Sequence, residues 1–197
     1  MKLSATQADN ETKLADFKMN ANIIGERMID GRQEAVEEII SLFQHKIYTI
    51  AFRFTGNRDE AFDLSQEIFL RIYSKKHLYK RGTDFNAWVL RLAVNTSINY
   101  KSKVVKNPSF SASEINESTE RISNDESQED DSTQKKLNDL LARLPKRERL
   151  VLIMQIIEER KVSEIADILG TTIKSTEALL TRGRKRLRNL AEKNEGL

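Results

Sequence analysis

The sequence has no cysteine, two prolines and seven glycines, and each scarcity excludes something. Without cysteine there is no disulfide and no thiolate metal site, a usage consistent with a cytoplasmic protein. With so few breakers in 197 residues the chain is expected to be mostly helical, with no strands. No apolar run approaches the length of a membrane span, and the start shows no signal-peptide core. A strong net charge is also missing, since the formal total is only +3. Its distribution is uneven, however. Residues 1–103 carry 16 basic and 13 acidic groups, residues 104–133 carry 2 and 8, and residues 134–197 carry 15 and 9. An acidic block separates two basic ones.

That pattern predicts an all-α protein of two small helical domains joined by a flexible acidic linker, the second domain a helix-turn-helix. Residues 1–19 are polar without clear periodicity and are expected to be a flexible N-terminus. Residues 20–103 form the first domain. Apolar positions run at helical spacing from Ile23 to Ile29. A wide stripe follows from Val36 through Ile39, Ile40, Phe43, Ile47 and Ile50 to Phe54. Asn57 with Glu60 reads as a capping box for a third helix. Thr83 or Asp84 caps a fourth from about Phe85 to Lys103. Residues 104–133, rich in Ser, Asn and Glu, cannot bury enough apolar surface to offset ordering, so they are read as linker. Residues 134–197 form the second domain, with Leu150, Val151, Ile153, Met154 and Ile157 beneath the helix-turn-helix.

The stretch from Val162 to Arg188 carries the clearest functional signal. A short helix places Ile165, Ile168 and Leu169 on one face, and Gly170 ends it. Thr172 caps a second helix whose apolar stripe is Ile173, Leu180, Leu187 and Leu190. That helix closes in Arg182, Arg184, Lys185, Arg186 and Arg188. Two short helices about a glycine turn, with a basic second helix, have the form of a helix-turn-helix. Lys174, Ser175, Glu177 and Ala178 are placed near base edges, and Arg182, Arg184 and Lys185 near phosphates. A solvated helix end complementing the dipole is the plainer reading, but five basic residues in seven positions exceed what a dipole needs.

Two further groups ask for a role. Asp59, Asp63 and Glu67 recur every four residues on the third helix, beside Glu60 and Gln66. Like charges at that spacing repel by a few tenths of a kcal/mol per pair, which suggests docking of a basic partner. On the fourth helix Arg91, Asn95, Asn99 and Ser102 form a polar ridge led by Lys80 and Arg81. Trp88, Val89, Leu92, Ala93 and Val94 face inward wholly or in part. Aromatics beside cations suit an opened nucleic-acid strand. His45 and His77 are isolated, so no metal site is expected, nor any cofactor.

Taken together, Asp63–Tyr73, Phe85–Asn95 and Leu144–Arg149 with the terminal helix-turn-helix resemble an extracytoplasmic-function (ECF) sigma factor. The likeness covers roughly residues 20–103 and 134–191. It implies that the first domain corresponds to sigma region 2. Asp63, Gln66 and Glu67 would then match the core-polymerase docking helix. Lys80, Arg81, Asn86, Trp88, Arg91, Asn95 and Asn99 would match the element that melts and reads the −10 sequence. The last domain would correspond to region 4, which reads duplex −35 DNA. Core RNA polymerase and promoter DNA are the implied partners, with room left for an anti-sigma factor. Lys161 stands where the family often has a serine cap, Leu179 where a basic residue is common, and Thr176 where an aliphatic is usual.

A helix-turn-helix regulator acting without polymerase would explain the C-terminal half but leave Asp63–Glu67 and Trp88–Asn95 idle. A protein-binding helical adaptor would leave Arg182–Arg188 idle. A hydrolase is weakest, because no nucleophile–base pair or metal-ligand spacing occurs.

Overall fold

In the first half of the chain, four helices close around Phe43 and Phe85, both fully buried. The structure, a computed structural model, describes residues 5–100, 136–156 and 158–195. The acidic linker, Ser102 and Ile157 lie outside the described residues. Helices α1 (Ala5–Ile29), α2 (Glu34–Thr55), α3 (Arg58–Ser74) and α4 (Phe85–Asn99) form this half, with one 3-10 turn at Lys76–Leu78. The phenyl ring of Phe43 meets Phe17 edge-on at 5.7 Å and Phe85 at 6.0 Å. Truncating either Phe43 or Phe85 would cost about 3–5 kcal/mol, because both rings are fully buried.

Local chemistry sets the boundaries. Asn57 Oδ1 accepts from Glu60 N at 3.0 Å and opens α3. Asp84 Oδ1 accepts from Ala87 N at 2.9 Å and opens α4. Two boundaries differ from expectation: α1 begins at Ala5 rather than near Ile23, so the N-terminal stretch is helical, and α4 ends at Asn99 rather than about Lys103, because Tyr100 turns to extended backbone. Residues 5–17 contain no glycine or proline to stop a helix, and Phe17 anchors them to Phe43.

The second half comprises α5 (residues 136–142), α6 (Lys146–Ile156), α7 (Val162–Leu169) and α8 (Ile173–Glu195). No strand occurs among the described residues. Glu148 through Met154 are all buried, an unbroken run that shows α6 is covered on every side. α7 and α8 cover one side, and α2 and α4 of the first half cover another. The two halves therefore share a continuous apolar core.

Polar groups reinforce that contact by a repeated device, in which a cation from the α6 start caps a helix end opposite. Arg149 donates to the carbonyls of Phe54 and Ala142, and to that of Leu144 at 3.0 Å, while its guanidinium lies 5.2 Å from the Phe54 ring centroid. Burial lowers its pKa to about 10, so it remains charged at neutral pH. Lys146 Nζ donates to the carbonyls of Ile98, at 3.1 Å, and Tyr100, at the end of α4. Such carbonyls have no partner within their own helix. Arg53 donates to Asn138 at 2.7 Å, and Lys46 pairs with the buried Glu158 at 3.2 Å.

Candidate nucleic-acid interface

The turn between α7 and α8 is built as its sequence requires. Gly170 sits at φ 62°, and the next amide, of Thr171, donates back to Ala166 O at 2.9 Å. A side chain at Gly170 would strain this left-handed turn. Thr172 Oγ1 then accepts from Ser175 N at 3.2 Å and starts α8. Lys161 opens α7 with its backbone N–H donating to Glu164 Oε2 at 3.0 Å, so the missing serine is replaced by a cap from inside the helix. Burial works to raise the Glu164 pKa, but the Lys161 N–H, Arg160 and Lys18 outweigh it and leave the carboxyl below its ordinary value.

α8 turns Thr176, Leu180 and Gly183 onto α6 and α7. At Gly183 the two backbones come close: a Cβ there would lie 3.1 Å from Leu152 Cδ1 and 3.4 Å from Glu148 O. Ile173, expected on the inner stripe, is instead 51% exposed, because Thr176 takes the inner position one turn on and bonds back to Thr172 O. Lys174, Ser175, Glu177, Ala178, Arg182, Arg184 and Lys185 are all exposed. Lys174, Ala178 and Lys185 fall within about 60° of one another around the helix. Thr181 shares that stripe and went unnoticed in the sequence, because a lone threonine carries no signal. Ser175 and Arg182 flank it on one side, Glu177 and Arg184 on the other.

Three of the arginines are engaged within the protein. Arg182 and Arg186 pair with the buried Glu148 at 3.7 and 3.0 Å, and Arg184 donates to Gln155 Oε1 at 2.7 Å.

The second surface lies on α4. Arg91, Asn95 and Asn99 are exposed along one line, with the half-buried Trp88 on the same side. Trp88 stacks on Phe85 at 5.4 Å and meets Tyr79 at 5.6 Å, so its ring is held by the core behind it. The Tyr79 hydroxyl donates to Thr83 O at 2.7 Å and fixes the loop holding Lys80 and Arg81. Both cations are exposed, and Arg81 pairs with Asp30.

Asn86 needs correction. It is fully buried, and neither amide atom has a hydrogen-bond partner. Nine residues separate it from Asn95, about 180° around a helix of 100° per residue, so the two amides face opposite ways. As arranged, Asn86 offers nothing to a strand on the ridge. Arg91 is also not open to solvent alone: it donates to Asp167 O of α7 at 2.8 Å.

Comparison with known proteins decides between the readings. The family model of sigma-70 region 2 matches residues 39–105, and that of sigma-70 region 4 matches residues 134–187. The two stand in order and together span more than half of the chain. The ECF RNA polymerase sigma factor SigW of Bacillus subtilis is 28% identical over 169 residues, covering 80% of this chain and 89% of that protein. The ECF RNA polymerase sigma-E factor of Escherichia coli is 23% identical over 181 residues, 87% of this chain and 94% of that one. The chain belongs to the sigma-70 family, in its ECF branch.

Solved structures agree in fold. CnrH, determined in complex with the cytosolic domain of CnrY, superposes with a TM-score of 0.64 at 17% identity, covering 87% of this sigma chain and 97% of that one. The sigma factor RpoE of Bartonella quintana, in complex with the anti-sigma factor NepR, gives 0.54 at 17%, covering 79% and 96%.

Within region 2 of this sigma factor, Gln66 is exposed on α3, and Asp63 and Glu67 are half-buried. Glu67 accepts from Arg71 at 2.9 and 3.2 Å, a pairing that answers part of the expected repulsion. Glu60 turns the other way and is buried. Phe62, Leu70 and Tyr73 share the outer face and are 58%, 69% and 52% exposed. With Gln66 they recur at i, i+4, i+8 and i+11. Sequence reasoning passed over this apolar stripe because the same residues at that spacing also describe a core. No helix among the described residues is long and apolar enough to cross a membrane.

Proposed function

We propose that this chain binds core RNA polymerase in the cytoplasm and directs promoter-specific initiation, with no catalysis of its own. The carrying observation is the presence of both sigma-70 regions, in order, in one ECF-branch chain. In this reading α3 docks on polymerase through Asp63, Gln66 and Glu67, and the exposed Phe62, Leu70 and Tyr73 supply the apolar part of that contact. α8 enters the major groove of duplex −35 DNA with Lys174, Ser175, Glu177, Ala178 and Thr181 toward base edges. Lys185, Arg182 and Arg184 face phosphates. The α4 ridge with Lys80, Arg81, Trp88, Arg91, Asn95 and Asn99 receives the opened −10 strand, where Trp88 offers a stacking surface.

Regulation by an anti-sigma protein is part of the proposal. It is supported by two structures of the same fold solved as complexes, one of them with an anti-sigma factor.

The test is run-off transcription with purified core enzyme. The full chain should give promoter-dependent transcripts only when core is present. Tight promoter binding without any association with core would replace this reading with that of a polymerase-independent regulator.

A further inference from the structure

The basic end of α8 is exposed, yet three of its cations are already engaged, because α6 supplies acceptors for them. Gln155 takes Arg184. The other two, Arg182 and Arg186, stand one turn apart on either side of Gly183, where α8 packs closely on α6. Their guanidiniums converge on the carboxylate of Glu148.

The asymmetry of exposure matters. The Glu148 side chain is 7% exposed, whereas those of Arg182 and Arg186 are 59% and 58% exposed. A buried carboxylate needs paired charge, since desolvation alone would be costly. The guanidiniums have no such need, because water already reaches them. Arg186 Nε lies 3.0 Å from Oε2, yet its N–H is not aimed at that oxygen. Arg182 is further off, at 3.7 Å. The contacts are thus charge pairs held by proximity rather than by directed hydrogen bonds, and a phosphate can compete for them.

We propose that Glu148 is a positioning residue for DNA recognition: it holds Arg182 and Arg186 against α6 as an internal competitor for phosphate. Sequence-independent affinity comes from cations neutralising phosphates. By occupying two of them, Glu148 lowers attraction to any duplex and leaves Lys174, Ser175, Glu177, Ala178 and Thr181 to set the preference. The inference rests on α8 being the duplex-reading helix. Among the described residues, α8 packs chiefly on α6 and α7, and its outer face is exposed.

The experiment measures binding of the full chain to a random-sequence duplex and to a promoter duplex by fluorescence anisotropy, across a salt series. Glu148→Gln should steepen the log–log salt slope by about one to two and raise random-duplex affinity on the order of tenfold near physiological salt. Promoter affinity should rise less, so discrimination falls. Glu148→Asp keeps the charge and should restore the wild-type slope. Adding Arg182→Gln and Arg186→Gln to Glu148→Gln should abolish the increase. If Glu148→Gln lowers the melting temperature while the slope stays at the wild-type value, the residue is structural only and the proposal fails. If the wild-type chain binds no duplex even at low salt, the reading of α8 falls first. That result is distinct, because it appears before any substitution.

Discussion

The two surfaces assigned to DNA differ in what lies above them. Among the described residues the outer face of α8 is exposed, and its helix packs chiefly on α6 and α7 of its own half. The α4 ridge has α7 against it, with Arg91 bonded to Asp167 O. A duplex can therefore approach α8 with nothing moved, whereas a strand laid along α4 meets the first helix of the helix-turn-helix. The difference teaches that the halves are not independent readers. Freeing Arg91 from that ridge requires its bond to Asp167 O of α7 to break, and the polar contacts that hold the two halves together are centred on the start of α6.

The largest expected effect tests that hold. Arg149→Met keeps much of the side-chain volume but removes the donor shared by Phe54, Ala142 and Leu144. Buried carbonyls left without partners cost about 1–3 kcal/mol each, partly recovered by water and relaxation. We expect about 2–4 kcal/mol of lost stability in denaturant unfolding, with the halves parting before either unfolds. A loss under about 1 kcal/mol with a single transition would mean that Arg149 does not hold the halves together, leaving the apolar core and the contacts of Lys146, Arg53 and Lys46 to do so.

Next in size is a substitution on the α4 ridge, at Asn95, which stays exposed beside the α7 contact. A base leaving its stack costs a few kcal/mol and needs polar groups to receive it. Asn95→Ala should leave duplex −35 binding intact and abolish open complexes on a closed promoter. A template with a pre-melted bubble should largely rescue it. Permanganate footprinting on matched templates reads both. Equal loss on both would assign Asn95 to polymerase contact or to the fold, and remove melting from α4.

How much of this was legible in the sequence depends on how far each cause lies along the chain. Local causes were plain: the Asn57–Glu60 cap, Asp84 before α4, the turn at Gly170 and the Thr172 cap all act within three or four residues. The existence of an all-α chain ending in a helix-turn-helix followed from periodicity. Causes from distant residues were not legible. Asn86 and Asn95 look alike in sequence, yet one is buried and the other exposed, because α4 is covered over half its circumference. Arg149 reads as one of several basic residues until Phe54, 95 positions away, accepts from it. Nothing local tells that Arg182 and Arg186 share a buried carboxylate on α6. The start of α1 was missed because helices without an apolar stripe leave no periodic mark.

A third surface, on α3, extends the comparison, since it too is uncovered. Replacing Glu67 with Ala removes its repulsion with Asp63 and also the exposed Glu67–Arg71 pair, in which both side chains are about 40% exposed. The two effects are each about 0.3–0.5 kcal/mol and opposite in sign. Melting should therefore stay within about 0.5 kcal/mol of wild type, while affinity for core polymerase, measured by co-purification, falls sharply. A Glu67→Ala variant that melts well below wild type would show this face to be structural.

The smallest effect tests whether the cover over α4 responds to pH. Glu164 belongs to α7, accepts from Lys161 N, pairs with Arg160 at 3.2 Å and lies within the field of Lys18 on α1. These interactions hold its pKa below the ordinary 4.5 despite burial. A carboxyl depressed in the folded state contributes stability above its unfolded pKa and loses it as pH falls through the folded value. Its side chain is 38% exposed, so solvent screening keeps the contribution below about 1 kcal/mol. Glu164→Gln can still accept from Lys161 N, so the comparison isolates the charge. At pH 7 the variant should melt about 2 °C below wild type. The gap should close as the pH drops from about 4.5 downward, where both side chains are neutral. A gap unchanged across that window would mean that the side chain acts by packing, and that charge plays no part in seating α7 beside α1 and α4.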